Sequence, residues 1–208
     1  MDYTYIISYL KECKTIMADN RDYLIKLDSA AGDGDLGLTM GDGFAAAWSA
    51  AAEMTETDIG KILYQGGKAM STAVPSTMGT LMASGLMQAG KAFRGKDVLN
   101  ETELVDLFQA YFDGVQMRGQ AKVGEKTFLD GLAPAIVALS TSLQNGENIK
   151  EASEKAANAA EEGFHNTASM IARHGRAAAR GEASRSLEDP GAAVAMFLMR
   201  AFAQLNKR

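Results

Sequence analysis

The chain has 208 residues, 47% of them hydrophobic, which supplies one well-filled core and excludes disorder as the default state. Its formal net charge of -5 excludes the broad basic face that nucleic-acid binding needs, but still admits a nucleotide whose phosphates are neutralised by metal ions. Cys13 is the only cysteine, which excludes an internal disulfide and a cysteine-rich zinc site.

Met1 to Tyr9 carries Asp2 and lacks the basic start and apolar stretch of a secretion signal. No run approaches the roughly 18 apolar residues of a membrane span, so a cytoplasmic protein with no membrane and no nucleic-acid partner is expected. Prolines stand only at Pro75, Pro134 and Pro190, good helix formers abound, and period-2 strand patterns are almost absent. The expectation is a single all-α domain over residues 1–208.

In chain order, the first predicted helix covers residues 5–27, with Ile6, Leu10, Cys13, Met17, Leu24 and Leu27 on one side. An acidic, glycine-rich segment at 28–37 follows, then helices at 39–53 and 58–71. A turn at 74–79 leads to a helix at 78–93. The clearest amphipathic stripe is Leu104, Leu107, Phe108, Tyr111, Phe112 and Val115, and Asn100 with Glu103 ahead of it fits a capping box. A glycine-bounded segment at 119–126 precedes a helix at 127–144, and another helix is expected over 149–173. The segment 175–191 then leads to a last helix at 190–204, where Asp189 before Pro190 is a strong start signal. In an up-and-down array every second connection emerges at the same end, so 28–37, 74–79, 119–126 and 175–191 are expected to converge on one mouth.

The chemistry concentrates in these connections. Asp28, Asp33 and Asp35 lie within eight residues and would repel one another unless a cation joins them. Hard divalent ions prefer such oxygen ligands, and magnesium usually adds waters and phosphates to one or two carboxylates. Gly32, Gly34 and Gly37 permit the dihedrals that turn the three side chains inward. The helix starting at Leu38-Thr39-Met40 offers its positive end to phosphate. The spacing is not that of an EF-hand, and alone it reads equally well as an acidic, solvent-exposed turn. Arg176 could clamp phosphate oxygens, although 175–191 also reads as a mobile entry to a capped helix. Phe128 could pack against a base; the competing reading makes it core and Lys126 a solvated charge. His165 and His174 read as surface or satisfied histidines, and the twelve methionines as core filler.

Taken together, Asp28 through Gly37, Gly124-Glu125-Lys126-Thr127, and Gly175-Arg176-Ala177 followed by Asp189-Pro190-Gly191-Ala192 resemble the L subunit of dihydroxyacetone kinase. These motifs occur in the family's order across essentially the whole chain. The resemblance implies an antiparallel up-and-down barrel of about eight helices with the nucleotide, ADP or ATP, at one end. It implies two magnesium ions on Asp28, Asp33 and Asp35, and phosphates lined by Leu36, Gly37, Leu38 and Thr39. Thr77, Met78, Gly119, Phe128, Arg176, Asp189, Pro190 and Gly191 would surround the rest of the nucleotide, Arg176 also assisting phosphoryl transfer. A separate K subunit would hold the small ketose through a histidine. In some members a phosphocarrier M subunit, fed from phosphoenolpyruvate, recharges ADP in place; others use ATP directly.

The chain departs from the family pattern in four places. Pro75-Ser76-Thr77-Met78-Gly79 stands where a Gly-Gly-x-Ser-Gly-like stretch is usual. Leu36 replaces a frequent histidine or threonine, Glu125 an aspartate, and Ala179-Arg180 an aromatic–aliphatic pair. A divergent member, serving dihydroxyacetone or another ketose, is the expectation. A non-catalytic nucleotide-binding regulator of a transcription factor or of the kinase complex is the alternative, and a homodimer stays open.

Overall fold

The computed structural model describes residues 1–207, and among these it is all helical, with no strand. Nine α-helices form it: α1 Tyr3–Asp19, α2 Arg21–Ser29, α3 Leu36–Ala52, α4 Ile59–Ala73, α5 Thr77–Ala92, α6 Glu101–Gly119, α7 Phe128–Gln144, α8 Ile149–Asn166 and α9 Pro190–Asn206. Short 3-10 turns occupy Thr167–Ser169 and Arg176–Ser184. No helix among the described residues is long and apolar enough to cross a membrane.

Local chemistry explains most helix starts. Asn100 and Glu103 form the expected capping box on α6, and Thr127 and Asp130 form a second on α7. Asp2, Asp58, Ser76, Asn148 and Asp189 cap α1, α4, α5, α8 and α9 through side-chain oxygens. Two expected helices are shorter than their apolar patterns. The 5–27 stripe breaks at Asn20, whose amide donates to the Ile16 carbonyl at 2.8 Å and so competes with the backbone ladder. The 149–173 helix ends at Asn166, because the Thr167 hydroxyl turns back to the Phe164 carbonyl at 2.6 Å while accepting from the Asp189 amide at 2.9 Å.

The eight long helices close on themselves. α1 packs on α3, each helix from α3 to α8 on its successor, α8 and α7 on α9, and α9 back on α1. The centre is filled, not hollow. Tyr9, Phe108 and Phe202 meet edge to face, with Phe108 and Phe202 centroids 4.9 Å apart, and a residual void of about 20 Å³ is lined by residues of α1, α3–α7 and α9. Close approach is built in where α4 crosses α5: a Cβ on Gly90 would lie 2.6 Å from both the Gly60 carbonyl oxygen and the Tyr64 amide.

Helix direction then sorts the connections into two ends. The Met1 amino group meets the Leu99 carbonyl, the Tyr5 hydroxyl meets Asn206, and the Ile59 amide meets the Lys96 carbonyl. These ties gather the start of the chain, the end of α9, and the α3–α4 and α5–α6 connections at one end. The connections at 28–37, 74–79, 119–126 and 167–189 share the other.

Candidate functional site

At that second end α3, α5, α7 and α9 all begin, so four positive helix termini face one mouth. Ser76, Thr127 and Asp189 satisfy first-turn amides of α5, α7 and α9. α3 is different: its N-cap, Asp35, makes no side-chain capping bond. The carboxylate that would ordinarily turn back onto the helix is instead directed to its acidic neighbours.

Asp28 closes α2, and Asp33 and Asp35 follow in the turn, with ligand oxygens of all three within 4.8 Å of one another. The turn is shaped for this. The Gly34 amide donates to Asp28 Oδ2 at 2.9 Å, and Gly34 itself has φ +75. A Cβ on Gly32 would collide with the Asp28 carboxylate, and one on Gly37 with the Arg21 carbonyl, so the turn folds flat onto α2. Burial holds the Asp28 carboxyl above its ordinary range; the Gly34 and Leu36 amides oppose this, and the charges of Asp33 and Asp35 add to it. A divalent cation would relieve that repulsion, and the donor set, oxygen only, suits a hard ion such as magnesium.

The other expected residues ring the mouth. Leu36, Gly37 and Thr39 are buried in the first turn of α3, while Leu38 is 42% exposed. Thr77 is exposed and Met78 half-buried in the first turn of α5, where Ser76 and Gly79 make an ordinary cap in place of a glycine-rich turn. Gly119 ends α6, and Gln120 after it adopts a left-handed conformation. Phe128 opens α7, but its ring is buried against Tyr111, so the core reading describes the side chain. Asp189, Pro190 and Gly191 open α9, with Gly191 against the start of α7. Burial raises the Asp189 carboxyl to about 7; the Ala192 amide opposes this, the charge of Asp130 adds to it, and that of Lys126 opposes it.

Arg176 reaches across this mouth to donate from Nη2 to Asp33 Oδ2, joining the 175–191 segment to the aspartate turn. The same segment is tied to the 119–126 connection. His174 Nε2 lies 2.6 Å from Glu125 Oε2, holding the Glu125 carboxyl below its ordinary range together with the Lys122 amide. His174 is thus a satisfied histidine, as is His165, whose Nδ1 lies 2.6 Å from Glu188 Oε1. Sequence reasoning missed Lys126. It is 3% exposed, not solvated, and its ammonium is bonded to backbone carbonyls far along the chain, a partnership no spacing rule reveals.

Three comparisons bear on this geometry. The family model described as the DAK2 domain matches residues 30–204. The "PEP-dependent dihydroxyacetone kinase, ADP-binding subunit" of Escherichia coli (strain K12) is 34% identical over 98% of this chain and 97% of its own. The "L-erythrulose 1-kinase" of Mycolicibacterium smegmatis is also 34% identical, over 96% of this chain, which spans 35% of that longer protein. Among solved structures, the dihydroxyacetone kinase from C. freundii in complex with AMP-PNP and Mg2+ superposes with a TM-score of 0.73 at 20% identity, over 95% of this chain and 33% of that one, which shows a shared fold.

Proposed function

The chain belongs to the DAK2 domain family, that of the L subunits of dihydroxyacetone kinase, and on that footing we propose that it is the nucleotide-binding subunit of a kinase for dihydroxyacetone or a related small ketose. The whole chain acts as one nucleotide-binding unit. The observation that carries the reading is the trio Asp28, Asp33 and Asp35, mutually within 4.8 Å beside the one helix start at the mouth, that of α3, that lacks a side-chain cap. Two magnesium ions on these carboxylates would supply charge neutralisation for the nucleotide's phosphates. The first-turn amides of α3, at Leu36, Gly37, Leu38 and Thr39, would receive phosphate oxygens.

Arg176 already bonds Asp33 and is 68% exposed at its side chain, so it can turn from carboxylate to phosphate. Thr77, Met78 and Gly119 would border the rest of the nucleotide, as would the backbone at Phe128 and the Asp189-Pro190-Gly191 start of α9. The chain needs no nucleophile of its own, because the attacking hydroxyl belongs to a ketose held on a separate K subunit. The reaction is assigned to the cytoplasm, with ADP recharged by a phosphocarrier M subunit or exchanged for ATP.

Asp33→Asn and Asp35→Asn test this with the K subunit present. The expected result is loss of retained nucleotide and at least a hundredfold drop in ketose phosphorylation. Unchanged activity in both variants would overturn the proposal, and wild-type nucleotide binding without turnover would favour a regulatory subunit. Native mass spectrometry of the purified chain separates the donors: co-purifying ADP marks the phosphocarrier route.

A further inference from the structure

The segment between α8 and α9 carries Arg176 and Asp189, yet buries little of itself. Its 3-10 turn at Arg176–Ser184 is interrupted at Gly181 (φ 50, ψ -125), and within 176–188 only Ser184 is buried. Its position is set by polar ties at several points, among them Arg185 to the Ser169 carbonyl and the Ser186 amide to the Ala168 carbonyl, and one atom gathers more of them than any other. Lys126 Nζ donates to the carbonyls of Thr167 and Ser184 at 2.8 Å each and to that of Leu187, with the Met170 carbonyl at 3.4 Å. These oxygens come from both ends of the segment. Three close carbonyls match the three protons of an ammonium.

The stem that delivers this ammonium is itself rigid. Lys126 holds a left-handed backbone (φ 63), an uncommon conformation for a residue with a side chain. Asp130 at the start of α7 accepts from the amides of Gly124 at 2.5 Å and Thr127 at 2.7 Å on either side of it. The backbone therefore aims the side chain into the carbonyl cage, where the nearby Asp189 charge also favours the ammonium.

We propose that Lys126 is a positioning residue: its ammonium gathers residues 167–187 and so holds Arg176 over the aspartate turn and Asp189 at the start of α9. The consequence for ligand binding rests on the nucleotide reading above; the gathering of the segment does not. Removing the ammonium takes a donor from three carbonyls at once; Thr167 keeps the Met170 amide at 3.0 Å, while the Ser184 and Leu187 oxygens lose their Lys126 bond.

Hydrogen exchange read by mass spectrometry on Lys126→Ala tests this. Amides of 168–187 are expected to exchange at least tenfold faster than in the wild type, with α1 and α5 unchanged, and Mg–ADP to bind at least tenfold more weakly. Propylammonium, which restores the deleted atoms, should slow that exchange again, whereas the neutral isostere 1-propanol should not. Unchanged exchange in 168–187, or equal rescue by the alcohol, overturns the proposal. If the variant does not fold, acetylation of the wild type decides. Lys126 should label at least tenfold more slowly than exposed Lys61 and Lys96, and an equal rate overturns the cage. A wild type that binds no Mg–ADP refutes the nucleotide reading while exchange and rescue still judge the positioning role.

Discussion

Asp28 and Asp189 are both lifted above the ordinary carboxylate range by burial, with different consequences. Asp28 sits with two further carboxylates, whose charges add to the rise. Asp189 caps α9 through the Ala192 amide at 2.8 Å, a bond its protonated form can still accept. Because its folded value lies near 7 against an ordinary 3.8, the folded chain holds a proton that the unfolded chain releases. Stability from this group is therefore full below about pH 4 and is lost as pH rises through 7. Asp189→Asn keeps the cap and cannot ionise. Thermal unfolding should find the variant equal to wild type near pH 4 and more stable by on the order of 1–2 kcal/mol at pH 8. A difference that does not change with pH would contradict this.

At the scale of elements, the sequence was most readable where a helix announces its own ends. Asn100 with Glu103, and Asp189 with Pro190, marked the starts of α6 and α9 through local hydrogen bonds. The break at Asn20 and the stop at Asn166 were hidden, because each depends on a single polar side chain inside a continuing apolar pattern. The α4–α5 crossing is also set by a pair distant in sequence, Gly60 and Gly90. Gly90→Ala would push a methyl against backbone atoms that cannot move aside. A loss of about 1–3 kcal/mol in denaturant unfolding is expected, against near neutrality if the helices can part.

Across the whole molecule, up-and-down order brings four separated segments to one end, and this much was legible from alternation alone. The clustering of the three aspartates was legible because they are neighbours in sequence. Three features were not. Phe128 turns into the core against Tyr111, Lys126 finds its partners 41 to 61 residues later, and Arg176 meets Asp33 across 143 residues. Such contacts follow from the closed helical ring and not from any local pattern.

In the proposed function the three aspartates bind nucleotide through metal. Titration calorimetry of the intact chain with ADP, with magnesium or with a chelator, tests it most directly. Saturable binding at one ADP per chain, requiring magnesium and lost in Asp33→Asn, is the expected result. ADP binding of equal strength without magnesium, or in that variant, would contradict it.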